Sequence, residues 1–163
     1  MIKIYDNFLS EKERQDIYDF CKKQSYHRGE VDRPDCPPTG LVSDLNNQDI
    51  INKLMKQVTN EKKDMFRTYI NLFIPNERPY YHIDNNDPTY KTCLYYVNTD
   101  KINYMDEGGE TYFIQNDFIK GVSFVPGRMV LFNSNIMHKA TSFRNRDRYT
   151  IAIKYKDVNI KNE

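Results

Sequence analysis

Cysteine is scarce in this sequence. The 163 residues contain Cys21, Cys36 and Cys93, an odd number at none of the short spacings used by zinc sites. A fully paired disulfide framework is therefore excluded, and free thiols in a reducing compartment are expected. A charge surplus is missing too: 24 Lys and Arg stand against 23 Asp and Glu, a formal net charge of +1. Nothing global draws the chain to nucleic acid or to a membrane surface, so neither partner is indicated. Long apolar runs are absent. No segment approaches the roughly 20 residues of a transmembrane helix, and Met1 to Asp6 shows no signal-like apolar stretch. The expectation is a soluble, cytoplasmic protein. Internal repeats and low-complexity linkers are also missing until Asn159 to Glu163, so residues 1–163 read as one domain, long enough to bury a substantial core.

What the chain does have is aromatic surface. Thirteen tyrosines and nine phenylalanines cluster where strands are expected, and most of them read as core. The element order begins with helices. Ser10-Glu11-Lys12-Glu13 is a capping box, and Ile17, Phe20 and Cys21 follow at helical spacing, which predicts a helix over about 11–24. Three prolines and two glycines between Tyr26 and Leu41 exclude long regular structure there. A second helix is predicted over 45–59, where Leu45, Ile50, Ile51, Leu54, Met55 and Val58 return on one face. From Phe66 the pattern changes to short strands, over 66–74, 80–84, 92–98, 110–114, 120–125, 129–132, 137–143 and 148–156. Eight strands suit a jelly roll. The predicted architecture is therefore mainly β: a double-stranded β-helix over about 64–157, buttressed by two helices within about 1–60.

Function is carried by a few widely spaced polar residues. A strand through Tyr80-Tyr81-His82-Ile83-Asp84 would put His82 and Asp84 on one face, able to reach one ion. His138 offers a second imidazole, completing a two-His, one-carboxylate set that leaves positions open on a metal for catalysis. Taken singly, each of these residues reads equally well as structural. Ten residues past His138, Arg148 opens the alternating run Arg148-Tyr149-Thr150-Ile151-Ala152-Ile153. Tyr149, Ile151 and Ile153 share one face while Arg148, Thr150 and Ala152 share the other, so the strand is compatible with burial on both sides. An interior guanidinium requires an anion, and its planar fork suits a carboxylate, with Thr150 adding a hydroxyl donor. The bland alternative pairs Arg148 with Asp147 or Glu110. Two other functions use the same residues: a zinc-dependent hydrolase, or a non-catalytic jelly-roll binding module in which the His-x-Asp is incidental.

The ordered set Tyr69-Ile70-Asn71-Leu72-Phe73, His82-Ile83-Asp84, Cys93 to Asn98, Gly108-Gly109-Glu110-Thr111, Pro126 to Phe132, His138 and Arg148-Tyr149-Thr150 covers about half the chain. In order and spacing it resembles the 2-oxoglutarate and Fe(II)-dependent oxygenases, and within them the prolyl 4-hydroxylase-like branch. The resemblance implies iron on His82, Asp84 and His138. It implies 2-oxoglutarate and O2 as cosubstrates, with ascorbate as a candidate auxiliary reductant. The distal carboxylate of 2-oxoglutarate would lie on Arg148, with the Tyr96 phenol reaching the same group. The implied substrate is a prolyl residue of a peptide or protein, while related barrels also oxidise small molecules. By the same likeness the loop from Asp32 to Gly40 would fold over substrate. Two departures stand out. Phe73 replaces a tyrosine of similar animal hydroxylases, with Asn71 on the same face as a candidate to compensate, and Lys154 takes a place often filled by an aromatic residue. The sequence assigns Lys154 no role.

Overall fold

The computed structural model describes residues 1–59, 63–101 and 103–157. Along the chain run β1 (Ile2–Tyr5), α1 (Glu11–Lys22), β2 (Leu41–Asp44), α2 (Gln48–Met55), β3 (Asp64–Phe73), β4 (Tyr90–Tyr96), α3 (Tyr104–Glu107), β5 (Thr111–Gln115), β6 (Phe118–Val122), β7 (Met129–Asn133), β8 (His138–Ala140) and β9 (Arg148–Lys156). The strands form a six-stranded sheet in the order β1-β7-β4-β9-β3-β2 and a three-stranded sheet in the order β6-β5-β8. All pairings are antiparallel. This is the expected jelly roll with its helical buttress.

The layers follow from side-chain alternation on the larger sheet. Residues of one parity, including Cys93, Tyr95, Leu131, Tyr149, Ile151 and Ile153, pack with Ile17, Cys21, Ile50 and Leu54 of the helices. Residues of the other parity, including Leu94, Tyr96, Val130, Phe132 and Ala152, meet Phe113 and Val122 of the smaller sheet. β9 is therefore buried on both faces, as its two apolar-compatible registers required. The helix α1 carries the full capping box at Ser10 and Glu13, and α2 is capped by the Asn47 side chain, which accepts from the Ile50 amide.

Four stretches differ from the sequence expectation. β1 and β2 have four residues each, too few for alternation to register against background, and each is recruited by a longer neighbour: β1 by β7, β2 by β3. The second helix starts at Gln48 rather than 45 because the Leu45 amide is donated to Thr68 O, still continuing the pairing of β2 with β3. Residues 80–84 are not a strand. Only His82 makes a bridge there, to His138, while the Asp84 and Asn85 amides both turn to Ser134 O.

Candidate metal centre and its cavity

His82 and His138 arrive from different directions and are locked side by side through their backbones. The His82 amide donates to His138 O and the His138 amide to His82 O, both at 2.9 Å, which leaves the ring centroids 4.5 Å apart. Each Nδ1 faces a carbonyl two residues earlier, Tyr80 O at 3.1 Å and Ile136 O at 2.9 Å. Those carbonyls accept the ring proton on Nδ1, which leaves each Nε2 free to face the centre of the cluster. Both Nε2 atoms face Asp84: His82 Nε2 lies 3.6 Å from Oδ1 and His138 Nε2 lies 3.7 Å from Oδ2. One ligand atom from each of the three residues falls within 4.8 Å of the other two, a spacing able to hold a metal ion.

The ionisation of the group suits that use. Burial pushes the His138 imidazole down to about 4, so it is neutral at physiological pH. Burial also opposes the charge on Asp84, but a hydrogen bond with His82 and the Lys154 ammonium outweigh it and hold the carboxyl far below the usual carboxylate range, and the same carboxylate raises the His82 pKa against the pull of burial. Both Asp84 oxygens are tethered. Lys154 Nζ donates to Oδ1 at 2.6 Å and Thr92 Oγ1 donates to Oδ2 at 2.6 Å. Thr92 is supported in turn by Ser134 Oγ at 2.9 Å. Lys154, to which the sequence assigned no role, is thus a buried partner of the carboxylate, with its side chain 10% exposed against 3% for Asp84.

Behind this cluster a cavity of ≈ 250 Å³ runs between the sheets. Its floor is the inward face of β9, on which Arg148, Thr150, Ala152 and Lys154 succeed one another, so a guanidinium closes one end and the ammonium and carboxylate stand at the other. Arg148 is fully buried. Its Nε donates to Gly109 O at 2.9 Å and its Nη2 to Thr111 Oγ1 at 3.3 Å, while Nη1 has no protein partner. Among the described residues no carboxylate forms an ion pair with it, neither Asp147 nor Glu110. Burial lowers its pKa to about 10, which still leaves it cationic at neutral pH. Thr150 Oγ1 is likewise buried without a partner. Buried donors are rarely left unpaired, and two of them lining one cavity point to an anionic ligand.

The cavity brings His82, Asp84, His138, Arg148 and Thr150 together. Tyr96 is placed differently: it is not among the lining residues, and it stacks on Phe124 with its hydroxyl donating to Thr111 Oγ1 at 2.8 Å. Its ring backs the guanidinium at 5.4 Å. Thr111 was missed by the sequence reading. It accepts from both Tyr96 and Arg148, leaving its own hydroxyl hydrogen available to the cavity. Asn71 and Phe73 do share the cavity-facing side of β3.

A family model described as the 2OG-Fe(II) oxygenase superfamily matches residues 70–155, more than half of the chain. The chain belongs to this superfamily. Similar solved structures include a prolyl hydroxylase from Trichoplax adhaerens, in complex with a hypoxia inducible factor oxygen degradation domain peptide fragment. It has a TM-score of 0.71 and 18% identity, covering 96% of this chain and 83% of that one. A prolyl-4-hydroxylase from Pseudomonas putida matches with a TM-score of 0.72 and 14% identity, covering 95% and 92%. HygX from Streptomyces hygroscopicus, solved with nickel and 2-oxoglutarate bound, matches with a TM-score of 0.70 and 13% identity, covering 97% and 83%. At these identities the likeness shows the fold. A comparison with curated protein sequences finds no match. Among the described residues of this 2OG-Fe(II) oxygenase, no helix is long and apolar enough to cross a membrane.

In the oxygenase fold, Gly109 joins architecture to the cavity. Its φ is +86°, and a Cβ built there would lie 2.2 Å from Phe143 Cε1. Only glycine lets the chain pass Phe143 in the left-handed region and still present Gly109 O to Arg148 Nε. Gly109→Ala is expected to cost about 1–3 kcal/mol of stability in thermal unfolding, from backbone strain alone. A melting temperature equal to that of the wild type would show that the turn relaxes freely.

Proposed function

We propose that this chain is a 2-oxoglutarate- and Fe(II)-dependent dioxygenase that hydroxylates a C–H bond, with a prolyl residue of a peptide or protein as the leading substrate. The observation that carries this reading is the cavity's pairing of a two-imidazole, one-carboxylate cluster with a buried guanidinium that has a free N–H and, among the described residues, no acidic partner. The donor set fits the metal: two imidazoles and a carboxylate without thiolate suit non-haem Fe(II) and keep coordination positions open. The far end fits the cosubstrate. Arg148 Nη1, the Thr150 hydroxyl and the Thr111 hydroxyl are three donors at one end of a cavity whose other end is the metal cluster, a layout that suits a dicarboxylate of 2-oxoglutarate's kind.

In this reading His82, Asp84 and His138 hold the iron, and Arg148 with Thr150 and Thr111 holds the distal carboxylate. Tyr96 acts through Thr111, fixing the hydroxyl's direction from behind. When bound, iron and 2-oxoglutarate would supply the oxidising chemistry, in which 2-oxoglutarate loses CO2 and the two atoms of O2 end in succinate and in the hydroxylated product. The chain itself orients the reactants and excludes water, and no side chain has to move a proton. Structural likeness to peptide-acting prolyl hydroxylases supports the prolyl substrate, while the HygX match keeps small molecules in view.

Anaerobic addition of Fe(II) and 2-oxoglutarate is expected to produce the weak visible charge-transfer band of the bidentate chelate. The band should be absent in His138→Ala. A wild-type protein that gives no band under saturating cosubstrate would overturn the assignment. Succinate release screened over proline-containing peptides, free amino acids and nucleic acids would then identify the substrate class.

A further inference from the structure

The segment between α1 and β2 does more than border the cavity. Asp32, halfway along it, has a side chain only 15% exposed and places Oδ1 3.2 Å from His82 Nδ1. Its other oxygen is pinned: Oδ2 accepts from the Tyr80 amide at 2.7 Å and from Thr39 Oγ1 at 3.0 Å. Two donors on Oδ2 leave the carboxylate little freedom to rotate, so Oδ1 is held against the imidazole. The neighbouring Arg33 Nη1 donates to Tyr81 O at 2.7 Å, stitching the same two stretches of chain together one residue further on. Glu30, Val31 and Thr39, from the same segment, line the cavity.

We infer that Asp32 is a positioning residue for the metal, completing a carboxylate, imidazole and metal relay through His82, and that the wall facing an incoming substrate and the support of a metal ligand are one piece of chain. This rests on the reading of His82 as a metal ligand. The physical reason is that a carboxylate beside Nδ1 keeps the ring proton there, fixes the ring plane and raises the donor strength of Nε2. Tyr80 O alone supplies a neutral acceptor at the same nitrogen; Asp32 adds the negative charge. A ligand pressing on residues 30–39 therefore bears on the metal as well as on its own contacts.

The test is anaerobic titration of the full chain with cobalt(II), followed by its visible d–d absorption, with circular dichroism of each metal-free protein as a control on folding. Asp32→Asn keeps the shape and an acceptor for the Tyr80 amide but removes the charge. It is expected to weaken cobalt(II) binding about 10- to 100-fold, the usual effect of removing such a partner. Asp32→Glu, which keeps the charge one methylene out of place, should fall between Asn and wild type, and this order stands as a test if the Asn variant folds poorly. Arg33→Met loosens the same segment without touching His82 and should bind cobalt(II) within about threefold of wild type. The inference is overturned if Asp32→Asn binds as wild type does, or if Arg33→Met loses as much affinity as Asp32→Asn, which would make the effect one of loop anchoring. A wild-type protein that binds no cobalt(II) at all would instead bring down the metal reading on which it rests.

Discussion

Arg148→Met should raise the 2-oxoglutarate concentration needed for half-saturation by about 30-fold at least, and by as much as several thousand-fold. The range follows from the roughly 2–5 kcal/mol lost when one partner of a buried, hydrogen-bonded charge pair is truncated, at about 1.4 kcal/mol per tenfold. Here the upper part of the range is favoured, because the guanidinium is fully buried and no carboxylate among the described residues forms an ion pair with it. The effect on the protein without ligands runs the other way. Burial lowers the pKa of Arg148 to about 10, so the folded chain carries a charge it holds at a cost of about 3 kcal/mol. Methionine removes that cost and forfeits two hydrogen bonds, to Gly109 O and Thr111 Oγ1, each worth about 1 kcal/mol. The ligand-free variant should therefore melt no lower than wild type, while the further rise in melting temperature that 2-oxoglutarate gives to the Fe(II)-loaded wild type is lost at concentrations that saturate the wild type. Thermal scans with and without the two ligands check both halves. A variant that still gains stability from 2-oxoglutarate at wild-type concentrations would show that the distal carboxylate lies elsewhere.

Asp84→Ala should destabilise the metal-free protein by about 3–5 kcal/mol, because it strands the Lys154 ammonium in the interior without its counter-charge. Lys154 donates to Asp84 Oδ1 at 2.6 Å and its side chain is only 10% exposed, so water reaching it through the cavity replaces the counter-charge only in part. For a chain of this length the loss corresponds to a fall of roughly 6–20 °C in melting temperature. The double variant Asp84→Ala with Lys154→Met should recover most of it, since removing both charges leaves no orphan. Metal binding should be lost in both. If the single variant melts with wild type, the ammonium has found solvent and the ion pair is not a buried one. The pairing also gives a reason for a lysine at this place: before a metal arrives, two imidazoles and a threonine hydroxyl are the carboxylate's other neighbours, and Lys154 supplies a positive charge that does not depend on imidazole protonation.

Particular elements show how far the sequence could be read. α1 was readable because a capping box and a 3.6-residue apolar repeat are local signals. β9 was readable because both of its parities tolerate burial, which a one-sided strand would not show. β1 and β2 were not, since four residues carry too little alternation and their pairing partners lie far along the chain. The segment around His82 misled for a related reason: it alternates like a strand, yet Ser134 O takes the amides that would have continued the ladder.

The residue types that can hold iron and a dicarboxylate, and their order along the chain, are properties of the sequence, because ligand chemistry and strand parity are written in residue identity and spacing. Which groups support them was decided by packing. Asp32, Thr111 and Lys154 lie 50, 37 and 70 positions from the residues they contact. No local periodicity links such pairs; only the closure of the two sheets, and the docking of the segment before β2 against them, brings their polar atoms within hydrogen-bonding distance.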